Sequence, residues 1–255
     1  HDLLERYLGG YMWEMHEPWD RFLALGRTTH DARFCMTALA IRLSTIRNGV
    51  SRLHGAVSRT MWHQIWPELQ EQDVPIGHVT NGVHLPTWVG PDIEKLYRDR
   101  IGTQWQDESD EMHWHRAAHI PLNELWEARR AQRTRMIDGV RQYMATEARR
   151  RGEDAEWTAT ALNPEALTIV FARRFATYKR ATLLFLQSER LEKLLRDDQR
   201  PVQFIFAGKA HPKDVPGQAL LRQIVQFSRR PEFRDRFVFL EGYDVELARH
   251  LVQGA

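Results

Sequence analysis

Three short apolar runs, each closed by a polar turn and followed by a helical pattern, constrain the fold more than any other feature of these 255 residues. The runs are LTIVF at 167–171, VQFIFA at 202–207 and FVFL at 237–240. Each is rich in β-branched or aromatic residues and too short for a helix, as a buried strand is. Helical spacing follows each run, at 182–196, 217–229 and 245–253. In the first of these, Leu184, Leu191 and Leu195 fall on one face. Three strand–helix units in a row predict an α/β fold with a parallel sheet and right-handed crossovers.

Ligands of such sheets sit beyond the carboxyl ends of the strands, near helix N-termini. Arg174, Lys179, Lys209, His211 and Tyr243 all follow strand ends. The first junction reads FARRFATYKR at 171–180, with Arg173, Arg174, Lys179 and Arg180 inside eight residues. Several cations at that place suit an anion, phosphate above all. On charge alone the stretch reads equally well as a solvated basic turn. The convergence of polar residues on the same edge favours the anion site. Neither G-x-G-x-x-G nor a Walker A pattern is present, so a dinucleotide fingerprint and a P-loop are not indicated.

Any such anion site must be local. Lys and Arg total 36 against 34 Asp and Glu, a formal +2, which gives no footing to a general nucleic-acid binder. The single cysteine, Cys35, allows no intrachain disulfide and fits a reducing, cytoplasmic compartment. Neither a membrane span nor a signal peptide is indicated. The hydrophobic content of 42% and the load of nine Trp and eleven Phe predict a sizeable core in one large or two small domains.

Upstream, 1–26 reads as helix, interrupted at Gly9-Gly10 and again near Pro18. A compact apolar helix is expected over 34–46, closed by Asn48-Gly49. His54 lies between small and apolar neighbours in NGVSRLHG, where a packed core histidine is the commoner outcome. A short β run at 75–80 ends in Asn81-Gly82, a pair that favours a positive-φ turn and a frequent place for ligand contacts. The stretch 90–126 reads as irregular. Its His113, His115 and His119 lack a completing Cys or carboxylate, so no metal site is expected. A long helix is expected over 122–151, with Met136, Val140 and Met144 on one side and its arginines on a solvated face. His1 opening in mid-helix and a stop just after a helical pattern predict an internal piece of a longer protein.

Five segments in order, NGVSRLHGAVSR, VTNGVHLPTW, FARRFATYKR, FIFAGKAHP and FLEGYDVELARHL, resemble those of the α-glucan phosphorylases: the glycogen, starch and maltodextrin phosphorylases. The likeness covers essentially the whole chain. It implies a GT-B architecture, with two Rossmann-like domains and the site in the cleft between them. It implies phosphorolysis of terminal α-1,4-linked glucose by inorganic phosphate to glucose 1-phosphate, with pyridoxal 5'-phosphate as cofactor. Residues 1–80 would close the N-terminal glucan-binding domain, and 81–255 would begin the C-terminal domain. The partners implied are α-1,4-glucan and phosphate, with no nucleic acid and no membrane, and a homo-oligomeric parent stays open.

Carried over by the resemblance, His54 contacts the glucosyl unit and Asn81 its 6-hydroxyl. Arg174 and Lys179 are the catalytic pair that holds the substrate phosphate. Arg173, in a place where many members carry lysine, faces the cofactor phosphate together with Lys179, and Tyr243 hydrogen-bonds it. Asp244 departs from the arginine of better-known members, which puts part of that clamp in doubt. His84 also departs from them and receives no role. The lysine that holds the cofactor covalently would lie past Ala255, so a chain of this extent is expected to be inactive alone. Two alternatives remain open: a sugar-nucleotide-dependent GT-B glycosyltransferase of the glycogen or starch synthase type, and a non-catalytic glucan-binding remnant.

Overall fold

The computed structural model describes residues 2–14, 16, 18–28, 33–106 and 111–255, the side chains of 2 and 111–113 excepted. The chain folds as two compact units, 1–83 and 84–255.

The first unit begins with three helices, α1 (Asp2–Glu14), α2 (Trp19–Gly26) and α3 (Met36–Leu43). Met12, Phe22 and Leu39 are buried among them, with Leu8, Trp19, Leu25 and Phe34 packed against that cluster. Contrary to the sequence reading, α1 runs unbroken through Gly9-Gly10. A glycine costs a helix about 1 kcal/mol, and Leu8 and Met12, one turn apart, anchor the same face in the core. α3 is shorter than the expected 34–46, because Cys35 and Ser44 are extended. The Arg42 guanidinium locks α3 to α2 by donating to the carbonyls of Leu25 at 2.6 Å and Arg27 at 2.7 Å.

A two-strand parallel ladder follows, β1 (Asn48–Gly49) beside β2 (Gly77–His78), with α4 (Arg52–Trp62) between them in sequence. Asn48-Gly49 is therefore strand and not turn. Asn81-Gly82 is no positive-φ turn either. The Asn81 N–H continues the ladder to the Val50 carbonyl at 3.1 Å, which requires extended backbone.

The second unit opens with α5 (Leu85–Trp88), α6 (Pro91–Arg100) and α7 (Glu111–Ala117). The expectation of irregular structure over 90–126 thus fails. Pro91 follows the N-cap Gly90 in a helix start, and Ile93 and Leu96 bury against Ile120. Tyr97 sits 5.4 Å from the Trp105 ring and 5.6 Å from that of Trp114. Aromatic packing across distant positions, invisible as periodicity, organises this stretch.

α8 (Leu122–Arg150) buries Met136, Ile137, Val140 and Met144. Its arginines are not simply a solvated face. Arg141 donates to the carbonyls of Ala161 at 2.8 Å and Leu162 at 2.7 Å. Arg133 donates to the Pro164 carbonyl, and Arg129 to that of Gln253 at 3.0 Å. Three of these carbonyls belong to the 161–164 loop and one lies near the C-terminus, and each gains a donor from α8.

The strands and helices of the α/β layer then appear in the order read, although the first strand is not buried, since Leu167 and Ile169 are exposed. The layer comprises β3 (Leu167–Ala172), α9 (Ser188–Leu195), β4 (Val202–Ala207), α10 (Val215–Ser228), β5 (Phe237–Leu240) and α11 (Val245–Gly254). The strands are parallel in the order β3-β4-β5, with Ile169 opposite Phe204 and Phe204 opposite Phe237. The expected helix at 182–196 starts as a 3-10 turn over Leu183–Gln187 before α9. Alternation along β4 feeds two cores. Ile205 and Ala207 join Met136, Val140 and Leu251 on the face covered by α8 and α11. Phe204 and Phe206 join Phe227, Phe237, Leu191 and Leu195 on the face covered by α9 and α10. Phe206 stacks on Phe237 at 4.9 Å. No helix among the described residues is long and apolar enough to cross a membrane.

Candidate phosphate and sugar sites

Strand β3 does not stop at the basic stretch; it hands its pairing on into it. The Arg173 N–H donates to the Ala207 carbonyl at 3.1 Å, and the Phe175 N–H to that of Lys209 at 3.0 Å. Phe175 is wholly buried, its ring 5.8 Å from Phe171 and 6.1 Å from Phe239. One apolar anchor in a basic run holds the backbone, and Arg173 and Arg174 beside it are exposed. The chain then makes a 3-10 turn over Thr177–Lys179, closed by Arg180 in the left-handed region at φ 55°. The Lys179 ammonium sits 4.7 Å above the Tyr178 ring. Among the described residues, Arg173, Arg174, Lys179 and Arg180 make no ion pair, whereas Arg98, Arg135 and Arg151 do.

The other two strand ends close on this turn. A side chain at Gly208, just after β4, would run into the Arg173 carbonyl and lie 2.8 Å from the Phe175 ring. Only glycine allows that approach. After β5, Glu241-Gly242-Tyr243 turns back toward β3, and the Tyr243 hydroxyl donates to the Ala172 carbonyl at 3.2 Å. Gly242 has φ 64°, and a Cβ there would stand 2.7 Å from the Tyr143 hydroxyl. That hydroxyl donates to the Glu241 carbonyl at 2.6 Å, and Arg151 pairs with the Glu241 carboxylate at 3.0 Å. Burial, with the charges of Glu147, Asp244 and Glu241, pushes the Tyr143 phenol up. Asp244 caps α11, its carboxylate accepting from the Leu247 N–H at 2.8 Å. The sequence reading missed this capping role, although Asp before V-E-L carries an N-cap signature.

His54 and Asn81 belong to the first unit and are held by one residue. The Val50 N–H donates to His54 Nδ1 at 3.1 Å, and the Val50 carbonyl accepts from the Asn81 N–H at 3.1 Å. With Nδ1 accepting, the neutral ring carries its hydrogen on Nε2. His54 is exposed, so the packed-core outcome is corrected: the ring stays at the surface because the start of α4 turns it back onto Val50. Ser51 caps α4, accepting from the His54 N–H at 3.1 Å. The glycines of this segment are steric requirements. A Cβ on Gly49 would come within 2.8 Å of the Gly55 Cα, and one on Gly55 within 2.9 Å of the Gly77 carbonyl. They let α4 press directly on the β1–β2 ladder.

Of the three histidines in the 90–126 stretch, the His113 side chain lies outside the described residues. His119 Nδ1 meets the His115 carbonyl at 3.0 Å. Among the described residues no group of three or more His, Cys, Asp or Glu side chains is placed to hold a metal.

The fold is thus a parallel α/β sheet whose strand ends gather unpaired cations, Tyr243 and close-approach glycines, the edge at which α/β proteins commonly place ligand sites. Residues 13–255 match the family described as carbohydrate phosphorylase, and the chain belongs to that family. It is 45% identical over 240 residues to glycogen phosphorylase of Mycobacterium bovis, covering 93% of this chain and 28% of that protein. It is 40% identical over 238 residues to maltodextrin phosphorylase of Thermococcus litoralis, again 93% of this chain and 28% of that protein. The muscle form of glycogen phosphorylase from Rattus norvegicus is 24% identical over 238 residues, covering 88% and 26%. The chain thus spans about 28% of the length of the first two relatives.

Proposed function

We propose that this chain forms the phosphate-holding part of an α-glucan phosphorylase of GT-B architecture, with the first unit, 1–83, ending a glucan-binding domain and the second, 84–255, beginning the phosphate- and cofactor-binding one. The reaction is phosphorolysis of a terminal α-1,4-linked glucose. The C1–O4 glycosidic bond breaks, a phosphate oxygen bonds to C1, and the proton lost by phosphate ends on the departing 4-hydroxyl. Glucose 1-phosphate and a glucan shorter by one unit result. The names of the relatives support this reading. The observation that carries it is the set of unpaired cations Arg173, Arg174 and Lys179 at the end of β3, beside Tyr243.

Two phosphates side by side repel by about 4 kcal/mol per pair of unit charges at about 4 Å in an effective dielectric of about 20. Fixed cations offset this without reorganising. Arg174 and Lys179 are assigned to the substrate phosphate, where the guanidinium can bind two oxygens at once. Arg173, Lys179 and Tyr243 are assigned to the phosphate of pyridoxal 5'-phosphate, and two unpaired cations with one hydroxyl donor fit such a dianion. When bound, that group would supply a phosphate able to exchange a proton with the substrate phosphate. Tyr243 would turn its hydroxyl hydrogen from the Ala172 carbonyl to a phosphate oxygen, giving up a long bond for a charge-assisted one. Asp244 adds no cation, and its cap on α11 accounts for an acid there. His54, with hydrogen on Nε2, can donate to a sugar hydroxyl, and the Asn81 amide can both donate and accept.

The test is Arg174→Ala in an enzyme of the relatives' full length, assayed with glycogen and phosphate. The KM for phosphate should rise by about tenfold or more, as for loss of a charge-assisted contact, while the KM for glycogen moves less than about twofold. An equal loss on both substrates would overturn the assignment.

A further inference from the structure

A second concave site adjoins the ends of β4 and β5 on the side of α10. It is a groove of about 700 Å³ bounded by the loop after β4, one face of α10 and the end of β5. Arg222 and Val225 reach it from α10, Arg229 from the C-cap of that helix and Lys209 from the β4 loop, and Phe239 with Leu221 forms an apolar floor. Its one acid, Glu241, is already paired with Arg151 at 3.0 Å. Arg229 lies within electrostatic reach of Glu153. Lys209 and Arg222 make no ion pair among the described residues. The groove thus joins an apolar floor, with the partly exposed Phe239 ring, to two uncompensated cations. Its volume falls in the range of small-molecule sites, about 300–1,000 Å³.

We propose that this groove binds a small organic phosphate, its apolar or ring-shaped body on Phe239 and Leu221 and its phosphate on Lys209 and Arg222. A bare inorganic anion would leave the floor wetted, and a neutral ring would leave the cations unanswered; only a molecule with both parts uses the whole surface. The site is separate from the proposed catalytic cations, since Arg174 and Lys179 do not line it.

Phenyl phosphate is the probe, titrated calorimetrically into this chain with inorganic phosphate and phenol in parallel. Phenyl phosphate should bind saturably, and phenol and inorganic phosphate each at least about tenfold more weakly at this groove. Arg222→Glu, on an exposed helix face, should weaken phenyl phosphate by about tenfold or more with an unchanged far-ultraviolet circular dichroism spectrum. Arg174→Ala should leave that affinity within about twofold. If Arg222→Glu fails to fold, Arg222→Gln replaces it and should weaken binding by about threefold or more. No saturable binding, phenol binding as well as phenyl phosphate, or indifference to the Arg222 change would overturn the proposal. So would loss of binding in Arg174→Ala, which would place the ligand on the β3 turn. The proposed phosphorolysis is unaffected by any of these outcomes, because it stands on the Arg174 kinetics.

Discussion

His54 and Asn81, far apart in sequence, are fastened to opposite ends of one residue: the Val50 N–H donates to His54 Nδ1 and the Val50 carbonyl accepts from the Asn81 N–H, each at 3.1 Å. Neither proposed sugar-contacting residue can shift without moving the backbone that holds the other. His54→Ala should therefore raise amide exchange at Val50 and at Asn81 together, with a stability loss of about 0.5–1.5 kcal/mol, the net worth of one hydrogen bond. Hydrogen exchange followed by NMR reads both sites. A rise at Val50 alone would show the two contacts to be independent.

Gly55 and Gly82 make a paired test of close approach. A Cβ on Gly55 meets the Gly77 carbonyl at 2.9 Å and the His78 Cβ at 3.0 Å, whereas one on Gly82 meets nothing within 4 Å. Gly55→Ala should destabilise by about 1–3 kcal/mol through backbone that cannot yield. Gly82→Ala, at a position without positive φ, should be neutral or add about 0.4–1 kcal/mol by restricting the unfolded chain. Urea midpoints of the two variants decide it.

Asp244 caps α11, its carboxylate accepting from the Leu247 N–H at 2.8 Å. Asp244→Ala should cost about 1 kcal/mol, and Asp244→Asn, which keeps a side-chain oxygen at the cap, only a fraction of that. Equal losses in thermal unfolding would mean that charge, not the hydrogen bond to the Leu247 N–H, sets the contribution.

Tyr143 predicts a pH dependence. Its phenol is raised above the ordinary 10.0 by burial first and then by Glu147, Asp244 and Glu241. A raised folded-state value means that the folded state holds the proton more tightly. The stability this group contributes is present below pH 10.0 and is lost as pH rises through the higher folded value. As pH rises from 10.0 toward the folded value, wild type should lose denaturant resistance more steeply than Tyr143→Phe. Parallel slopes in the two proteins would contradict the shift. Tyr143→Phe should also loosen the Glu241 turn that carries Tyr243, seen as faster amide exchange there.

Much of the α/β layer is legible without a structure. The runs at 202–207 and 237–240 are short, apolar and bounded by turn residues, and β4 and β5 occupy those spans. Buried parallel strands announce themselves this way because both faces must be apolar. The helix α6 was hidden for the opposite reason. Its fold rests on Tyr97 between Trp105 and Trp114, and contacts between separate segments leave no periodic trace. The arginines of α8 look solvated in sequence, yet Arg129, Arg133 and Arg141 close carbonyls up to 124 residues away.

The residues alone determined the order of strands and helices from 167 onward, the basic stretch after β3 and the five segments that carry the family resemblance. Local patterning suffices for these, since each depends on neighbours within one element. Only tertiary structure decided that His54 is exposed and tied with Asn81 to Val50, that Gly208 must be bare beneath the Arg173 carbonyl, and that Tyr243 reaches back to Ala172. Each of these is a contact between chain segments brought together by packing. Steric exclusion and hydrogen-bond satisfaction act on distance in space, which sequence spacing does not encode.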